Sequence, residues 1–446
     1  MRVFRVHDPF RRAQLAIAAL FCSLGFQYAT WAARVPAIKA HLGLSTAEVG
    51  LLLMATGVGA AVSFPLVAWL MRRIGSQRLA LLSALGLALL LFALAAAPDY
   101  PVALLVMLAD GVLVGGLNVS MNAQGAALEE RYKRNAMARL HATFSAGSLA
   151  AALLASGMNA LTSAVVAHFA VAAALLLLLL AYARSGLVAE EGAVAAAEQP
   201  ATGTDGASTD TASTDTAQTD TDKRARKRAR WTLPTRAVLW MCCAMAFGTV
   251  TEGAMNDWSA LYLKDVAKAS AELAPMGIAV VSCMMVLARI FADGWRSRWG
   301  DGPIVRVGSA LAGVGLALAL LSGGTVPALI GFACVGLGIA AVTPCVYVAA
   351  AAQGSDALTL VAAMGTTGLL GGPPVIGFIA NAAGLVWGLG AVAACAIVVT
   401  VCATRISWPS RSGGTRAGVP AEVPAEPAPV LASEDRTAPV TEPAES

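Results

Sequence analysis

Residues 101–123 read PVALLVMLADGVLVGGLNVSMNA, an uninterrupted apolar run in which Asp110 carries the one charge. About 20 such residues span the 30 Å hydrocarbon core of a bilayer, so this run is long enough to cross a membrane as a helix. At 1.5 Å per residue Asp110 lies roughly 14 Å from the start, close to the bilayer centre. The same bias holds throughout. Of 446 residues, 57% are hydrophobic and 13% charged, with a mean hydropathy of +0.69, whereas soluble domains carry about 25% charged residues. A water-soluble fold is excluded, and a polytopic membrane protein is predicted.

A window of about 19 residues places apolar segments near 13–33, 47–70, 79–97, 101–123, 137–158 and 161–183. Six more follow near 237–260, 274–293, 304–323, 326–350, 357–381 and 385–404. Unpaired backbone groups are intolerable against lipid, so each segment is predicted to be a helix and the fold class all-α, with twelve transmembrane helices. The basic start resembles a signal peptide. Its apolar run is long, however, lacks a small-x-small cleavage site and is followed by many others, so it is read as an uncleaved first helix. All eight cysteines fall within the segments without paired spacing, which points to packing rather than metal or redox chemistry.

Residues 185–235 break the pattern. Asp205, Asp210, Asp215 and Asp220 recur every five residues, and a basic run follows at 223–230. This composition is that of a disordered linker, as is the Pro-, Ala- and Glu-rich tail at 408–446. The predicted organisation is a six-helix bundle over 1–184, the linker 185–235, a second bundle over 236–407, and the tail. Beside a membrane helix the basic run reads as an anchor on anionic lipid rather than a nucleic-acid motif.

The halves repeat. Trp31, then Ser45-Thr46-Ala47-Glu48, then a basic turn ending at Gly75 are echoed by Trp258, Ser270-Ala271-Glu272 and the turn ending at Gly300, at offsets of about 225. Because six is even, the second half enters the membrane in the same orientation as the first, which gives a parallel repeat. With a cytoplasmic amino terminus, 26 of 31 Lys and Arg fall on the inner side and only Arg34, Lys39, Lys264 and Lys268 outside, Arg289 lying within a segment and counting on neither side. That asymmetry predicts both termini in the cytoplasm.

An ionisable group in hydrocarbon costs about 3 kcal/mol or more and needs a partner or a wet cavity. On a helical wheel Asp110, Asn118, Asn122 and Gln124 share an arc of about 160°, Gln27, Thr30, Trp31 and Arg34 one of about 100°, and Thr249, Glu252, Asn256 and Ser259 one of about 80°, while Asp257 points elsewhere. The amides and hydroxyls serve equally well as helix–helix hydrogen bonds or as solute ligands. Asp110 and Glu252 are the proton-coupling candidates. His141 is either a relay or a helix-interface histidine. Trp31 and Trp258 are read as interfacial anchors before solute-stacking rings. His168 has no polar company and reads as structural. Arg289 is expected to be neutralised by Asp293 at i+4. Gly368, Gly371, Gly372, Pro373 and Pro374 mark a bend or a close helix approach in the eleventh segment, as do Gly336, Gly338 and Pro344 in the tenth.

These features resemble the major facilitator superfamily: twelve helices, a six-plus-six repeat, a long cytoplasmic linker and basic turns after the second and eighth helices. The family's turn motif, G-x-x-x-D-R-x-G followed by basic residues, is partly met by Ala68, Arg72, Arg73, Gly75 and Arg78, with Arg72 where the acid stands; Arg298 and Gly300 match in the second turn. Trp31-Ala-Ala-Arg34-Val-Pro36, Asn118 through Asn122-Ala-Gln-Gly125 to Glu129, His141 with Ser145 and Gly147, Glu252-Gly253 with Asn256-Asp257-Trp258, and Gly372-Pro373-Pro374 are similar to the YbjJ-type bacterial inner-membrane branch, which is like the fucose:proton symporters in outline. The resemblance implies alternating access, with the first, fourth, seventh and tenth helices lining the cavity, the tenth offering Thr343 and Tyr347.

The expectation is therefore a proton-coupled secondary transporter of a small polar solute in the bacterial inner membrane. Asp110, Glu252 and His141 would handle protons. Gln27, Trp31, Arg34, Asn118, Asn122, Gln124, Asn256, Trp258 and Tyr347 would face solute, and Arg72, Arg73, Gly75, Arg289, Asp293, Gly372 and Pro373 would gate. No cofactor, metal or nucleic acid is expected; solute, protons and lipid are the partners of a monomer. The rivals are a drug-efflux pump whose acids bind lipophilic cations, and a receptor on the same scaffold. No set of nucleophile, base and orienting group at usable spacing supports an enzyme.

Overall fold

Pro9 and Asp8 start the first helix: proline's missing N–H costs nothing at a first position, and the Asp8 carboxylate accepts from Phe10 N at 3.0 Å. In the computed structural model, which describes residues 8–188 apart from Asn135 and residues 234–408, thirteen helices follow in order. They are α1 (Pro9–Ala32), α2 (Val35–Leu42), α3 (Thr46–Ala95), α4 (Tyr100–Tyr132), α5 (Met137–Leu161), α6 (Val165–Ala183), α7 (Arg236–Asp265), α8 (Met276–Trp299), α9 (Asp301–Ser322), α10 (Thr325–Ile339), α11 (Val342–Ala351), α12 (Ser355–Ala383) and α13 (Leu385–Arg405). Among the described residues ten helices are long and apolar enough to cross a membrane, and Met276–Ala292 is a shorter apolar one. The fold is all-helical, as predicted.

One of the ten is double. α3 runs for 50 residues and breaks at Gly75, whose φ of 77° suits glycine alone. A Cβ on Gly59 would meet Leu108 of α4, and the side chain of Ser83 lies over Gly116, two turns further along the same helix. Both arms thus lie along one stretch of α4, so the chain doubles back at Gly75 and α3 holds the predicted second and third segments. Three further departures are local. α1 ends at Ala32 and a short unpredicted helix, α2, with Arg34 at its N-cap, fills the outer turn, closed by Gly43 at φ 65°. Ser45 and Glu48 then cap α3 reciprocally, Glu48 N donating to Ser45 Oγ at 3.2 Å and Ser45 N to Glu48 Oε2 at 2.8 Å. The tenth segment is split between α10 and α11 at Ala340 and Ala341. The predicted linker beyond Val188 and the tail after Trp408 lie outside the described residues. Residues 185–188, assigned to the linker, instead pack on the first bundle, where Gln77 Nε2 donates to Val188 O at 2.7 Å.

Packing repeats with the sequence. α1 packs on α5 and α6 as α7 packs on α12 and α13; between the halves, α3 meets α12 and α5 meets α8. Adding six to the second and fifth segments turns one of these last pairs into the other, as a two-fold relation demands. Trp258, Tyr262, Phe21, Phe169 and Phe332 are fully buried, while Leu161, Leu178, Val307 and Leu321 stand exposed around the outside, as a lipid-facing surface requires. The end of the bundle carrying α2, expected outside from the loop charges, is called the outer end below.

Helices approach where glycines permit. A Cβ on Gly111 would lie 1.9 Å from Thr56 O, so α3 and α4 touch backbone to backbone. Gly111→Ala is expected to force them apart and cost about 1–3 kcal/mol, lowering the melting midpoint in detergent. Gly157→Ala, with nothing within 4 Å of the added methyl, should leave that midpoint unchanged or raise it.

Candidate functional site

α7 carries three acids, Glu252, Asp257 and Asp265, and each leads to the other half. At the outer end Lys39 of α2 bonds Asp265 at 2.7 Å. About 12 Å deeper, Tyr28 of α1 donates its hydroxyl to Asp257 Oδ1. About 7.5 Å below that, Glu252 Oε1 pairs with Arg289 of α8 at 3.3 Å, and Arg289 Nη1 donates to Ser145 of α5. Around this column Ser156 and Asn159 of α5 donate to the carbonyls of Glu272 and Ala271 at 2.6 and 2.7 Å, and Gly50 of α3 lies against the backbone of Pro373, Pro374 and Gly377 of α12. The seam between the halves is therefore made from the outer loops to below mid-depth.

Asp110 lies in the first half beside this seam. It is 3% exposed and accepts from Gln27 Nε2 at 2.7 Å, while Asp110 Oδ2 and Gln27 Oε1 have no partner. Gln27 and Tyr28 are consecutive residues of α1. One helix turn therefore grips a buried acid of each half.

The other expected residues divide. Asn122 Nδ2 donates to Asn118 Oδ1 at 3.0 Å, and Asn118 is exposed on the inner side of Asp110. Asn256 donates to the Glu252 carbonyl at 3.2 Å. His141 is exposed, its ring edge-on to Phe21 with centroids 5.0 Å apart. Tyr347 packs against the inner apolar cluster of the second half, to which Cys345 and Met241 belong. Arg72 and Arg73 are exposed at the turn before Gly75, Arg73 lying over the Trp69 ring at 5.4 Å. Gly372 and Pro373 are buried in the α12 stretch facing α3 and α7.

Several readings need correction. Gln124 is not free for solute: it donates to Ser76 Oγ at 2.7 Å and accepts from Val188 N at 2.9 Å, clamping the α3 elbow to the chain after α6. Trp31 and Trp258 are buried at 2% and 0% exposure rather than anchored at the lipid interface, because their helices sit innermost in the bundles. His168 has polar company after all, since Arg34 Nε donates to its Nδ1 at 3.0 Å. Arg289 has Glu252 and Ser145 as its described partners; the side chain of Asp293, its expected partner, lies outside the described residues. Asp257, set aside because it leaves the Glu252 stripe, is bonded across the halves, and Tyr28, Lys39 and Asp265 were missed with it. The signal was present: a charge in an apolar segment needs a partner whichever face it occupies. Among the described residues no cluster of His, Cys, Asp and Glu could hold a metal ion.

Comparison with known proteins agrees with this architecture. The family model of the Major Facilitator Superfamily matches residues 15–355. The chain is 28% identical over 390 residues to the uncharacterized transporter y4wD of Sinorhizobium fredii, covering 85% of this chain and 93% of that one. It is 29% identical over 414 residues to an uncharacterized MFS-type transporter of Yersinia pestis, covering 90% and 97%. Among solved structures it is similar to a D-xylose-proton symporter, with a TM-score of 0.67 at 13% identity over 89% of this chain and 97% of that one. With the double-back at Gly75, the two-fold packing of the halves and these matches in agreement, the chain belongs to the major facilitator superfamily of membrane transporters.

Proposed function

We propose that this protein is a proton-coupled secondary transporter of a small polar solute, working by alternating access in a bacterial inner membrane with both termini cytoplasmic. The observation that carries this reading is Asp110: a nearly dry acid near the bilayer centre with one oxygen unpartnered, next to the seam that must open. A buried acid whose surroundings alternate between dry and wet takes up a proton in one state and releases it in the other. The D-xylose-proton symporter that shares this fold is one carrier of the proposed kind. The seam supports alternation. It is made at the outer end and through mid-depth, while Asn118 of α4 and Thr366 and Thr367 of α12 are exposed further in. That arrangement is the one expected of a carrier open to the inside, and Gln27, Arg34, Asn118, Asn122 and Asn256 remain the proposed solute-facing groups. A monomer suffices, because both halves of the seam belong to one chain.

Flux in liposomes tests the coupling, with the solute chosen by a thermal-shift screen of sugars, organic acids and nucleosides. Asp110→Asn should abolish uptake driven by a proton gradient while leaving counterflow exchange. Normal gradient-driven uptake by this variant removes Asp110 from the mechanism.

Glu252, Arg289 and Ser145 form the inner fastening of the seam in this reading. Removing one charge of a half-buried pair strands the other, whereas removing both does not. Glu252→Gln and Arg289→Gln should each lower the melting midpoint and slow transport, and the double variant should melt above either single. Additive losses in the double variant would mean the two residues act apart.

A further inference from the structure

Of the three acids on α7, Glu252 faces the Arg289 guanidinium and Asp265 the Lys39 ammonium, but Asp257 is met by a phenol. It is 5% exposed, about 12 Å inside Asp265, and its hydrogen bond from Tyr28 crosses from one half to the other. Next to Tyr28 stands Gln27, which holds Asp110. The geometry points to Asp257 as a second proton-coupling acid of the transport cycle, sealing the outer seam through Tyr28 when protonated and opening it when ionised. This rests on the proton-coupled reading above and adds to it the residue by which the second half takes part.

Two effects compete at Asp257. Ionisation strengthens the bond from Tyr28, because charge-assisted hydrogen bonds are about twice as strong as neutral ones. It also places a carboxylate without a cation in a dry interface, and that desolvation penalty exceeds what a single hydrogen bond returns. The second effect wins. Protonated Asp257 keeps an oxygen to accept from Tyr28 and leaves no charge under the closed seam; ionised Asp257 requires water, which enters by parting α1 from α7. The closed state binds the extra proton, so low pH favours it.

Other ionisable groups on α7's neighbours are placed differently. Lys39 of α2 is held by Asp265 and Arg289 of α8 by Glu252. Tyr347 of α11 and Cys402 of α13 pack in the inner cluster with Met241 and Met245, and Asp356 of α12 stands in that helix's first turn, at the inner end. Tyr28 is the group bonded to Asp257.

The test uses the full chain in lipid nanodiscs, with the native cysteines replaced and spin labels at His41→Cys and Ala271→Cys, exposed outer positions in opposite halves. Pulsed electron resonance reads the distance between them from pH 5 to pH 8. Expected is a shift from a short to a long distance as pH rises, up to about tenfold in population per pH unit for one proton. Asp257→Asn, which mimics the protonated acid, should stay short at every pH. Tyr28→Phe should lose at least half of the short population at pH 5. A wild-type response in Asp257→Asn overturns the proposal, as does a wild-type distance unmoved between pH 5 and pH 8. If that unmoved protein still shows proton-driven uptake, the latch falls while the transport reading stands. If the pH response is present and Asp257→Asn abolishes it in a protein without proton-driven flux, the latch stands and the coupling reading falls.

Discussion

A charge placed in hydrocarbon must be answered by a partner, and on one helix of this protein the answers reach across the boundary between its two halves. Helix α7 illustrates the constraint: Glu252, Asp257 and Asp265 are each joined, directly or through Arg289, to the first bundle. The groups that make the bundle tolerable to a membrane are thus the groups that fasten it shut. Separating the halves exposes acids and bases that then need water or a bound molecule. A protein built this way cannot open on one side without wetting that side.

Within the first bundle the constraint is met differently. Asp110 relies on an amide, Gln27, and Arg34 on an imidazole, His168. Neither pairing cancels a charge, and each leaves a buried polar atom without a partner. The first half therefore holds the less satisfied polar interior, and the second holds the acids that reach across.

Much of the architecture was legible in the sequence because it follows from distances along a single helix. Run lengths gave the spans, and the offset between Trp31 and Trp258 gave the repeat. The elbow at Gly75 was legible too, since a basic turn with a glycine is a local signal. The missed features depend on how helices are rotated against one another, which a helical wheel drawn on one segment does not contain. Asp257 left its own stripe because α7 meets α1 and α8 on different faces, so its acids had to diverge. His168 was read as structural because its partner lies 134 residues away. Gln124 fell on the polar arc of α4 for a different reason from its neighbours, facing the elbow rather than the seam. The short helix α2 escaped hydropathy altogether, being too short to span anything.

The seam between α3 and α12 is bare of side chains at Gly50. Where Gly50 lies against Pro373 and Gly377, main chain meets main chain. Two such surfaces have no knobs to withdraw from holes, so they can glide or lift apart without any rotamer being reshuffled. Further along the same two helices the Leu370 side chain covers Gly57, so the bare stretch is local, and a single methyl planted on it would act as a doorstop.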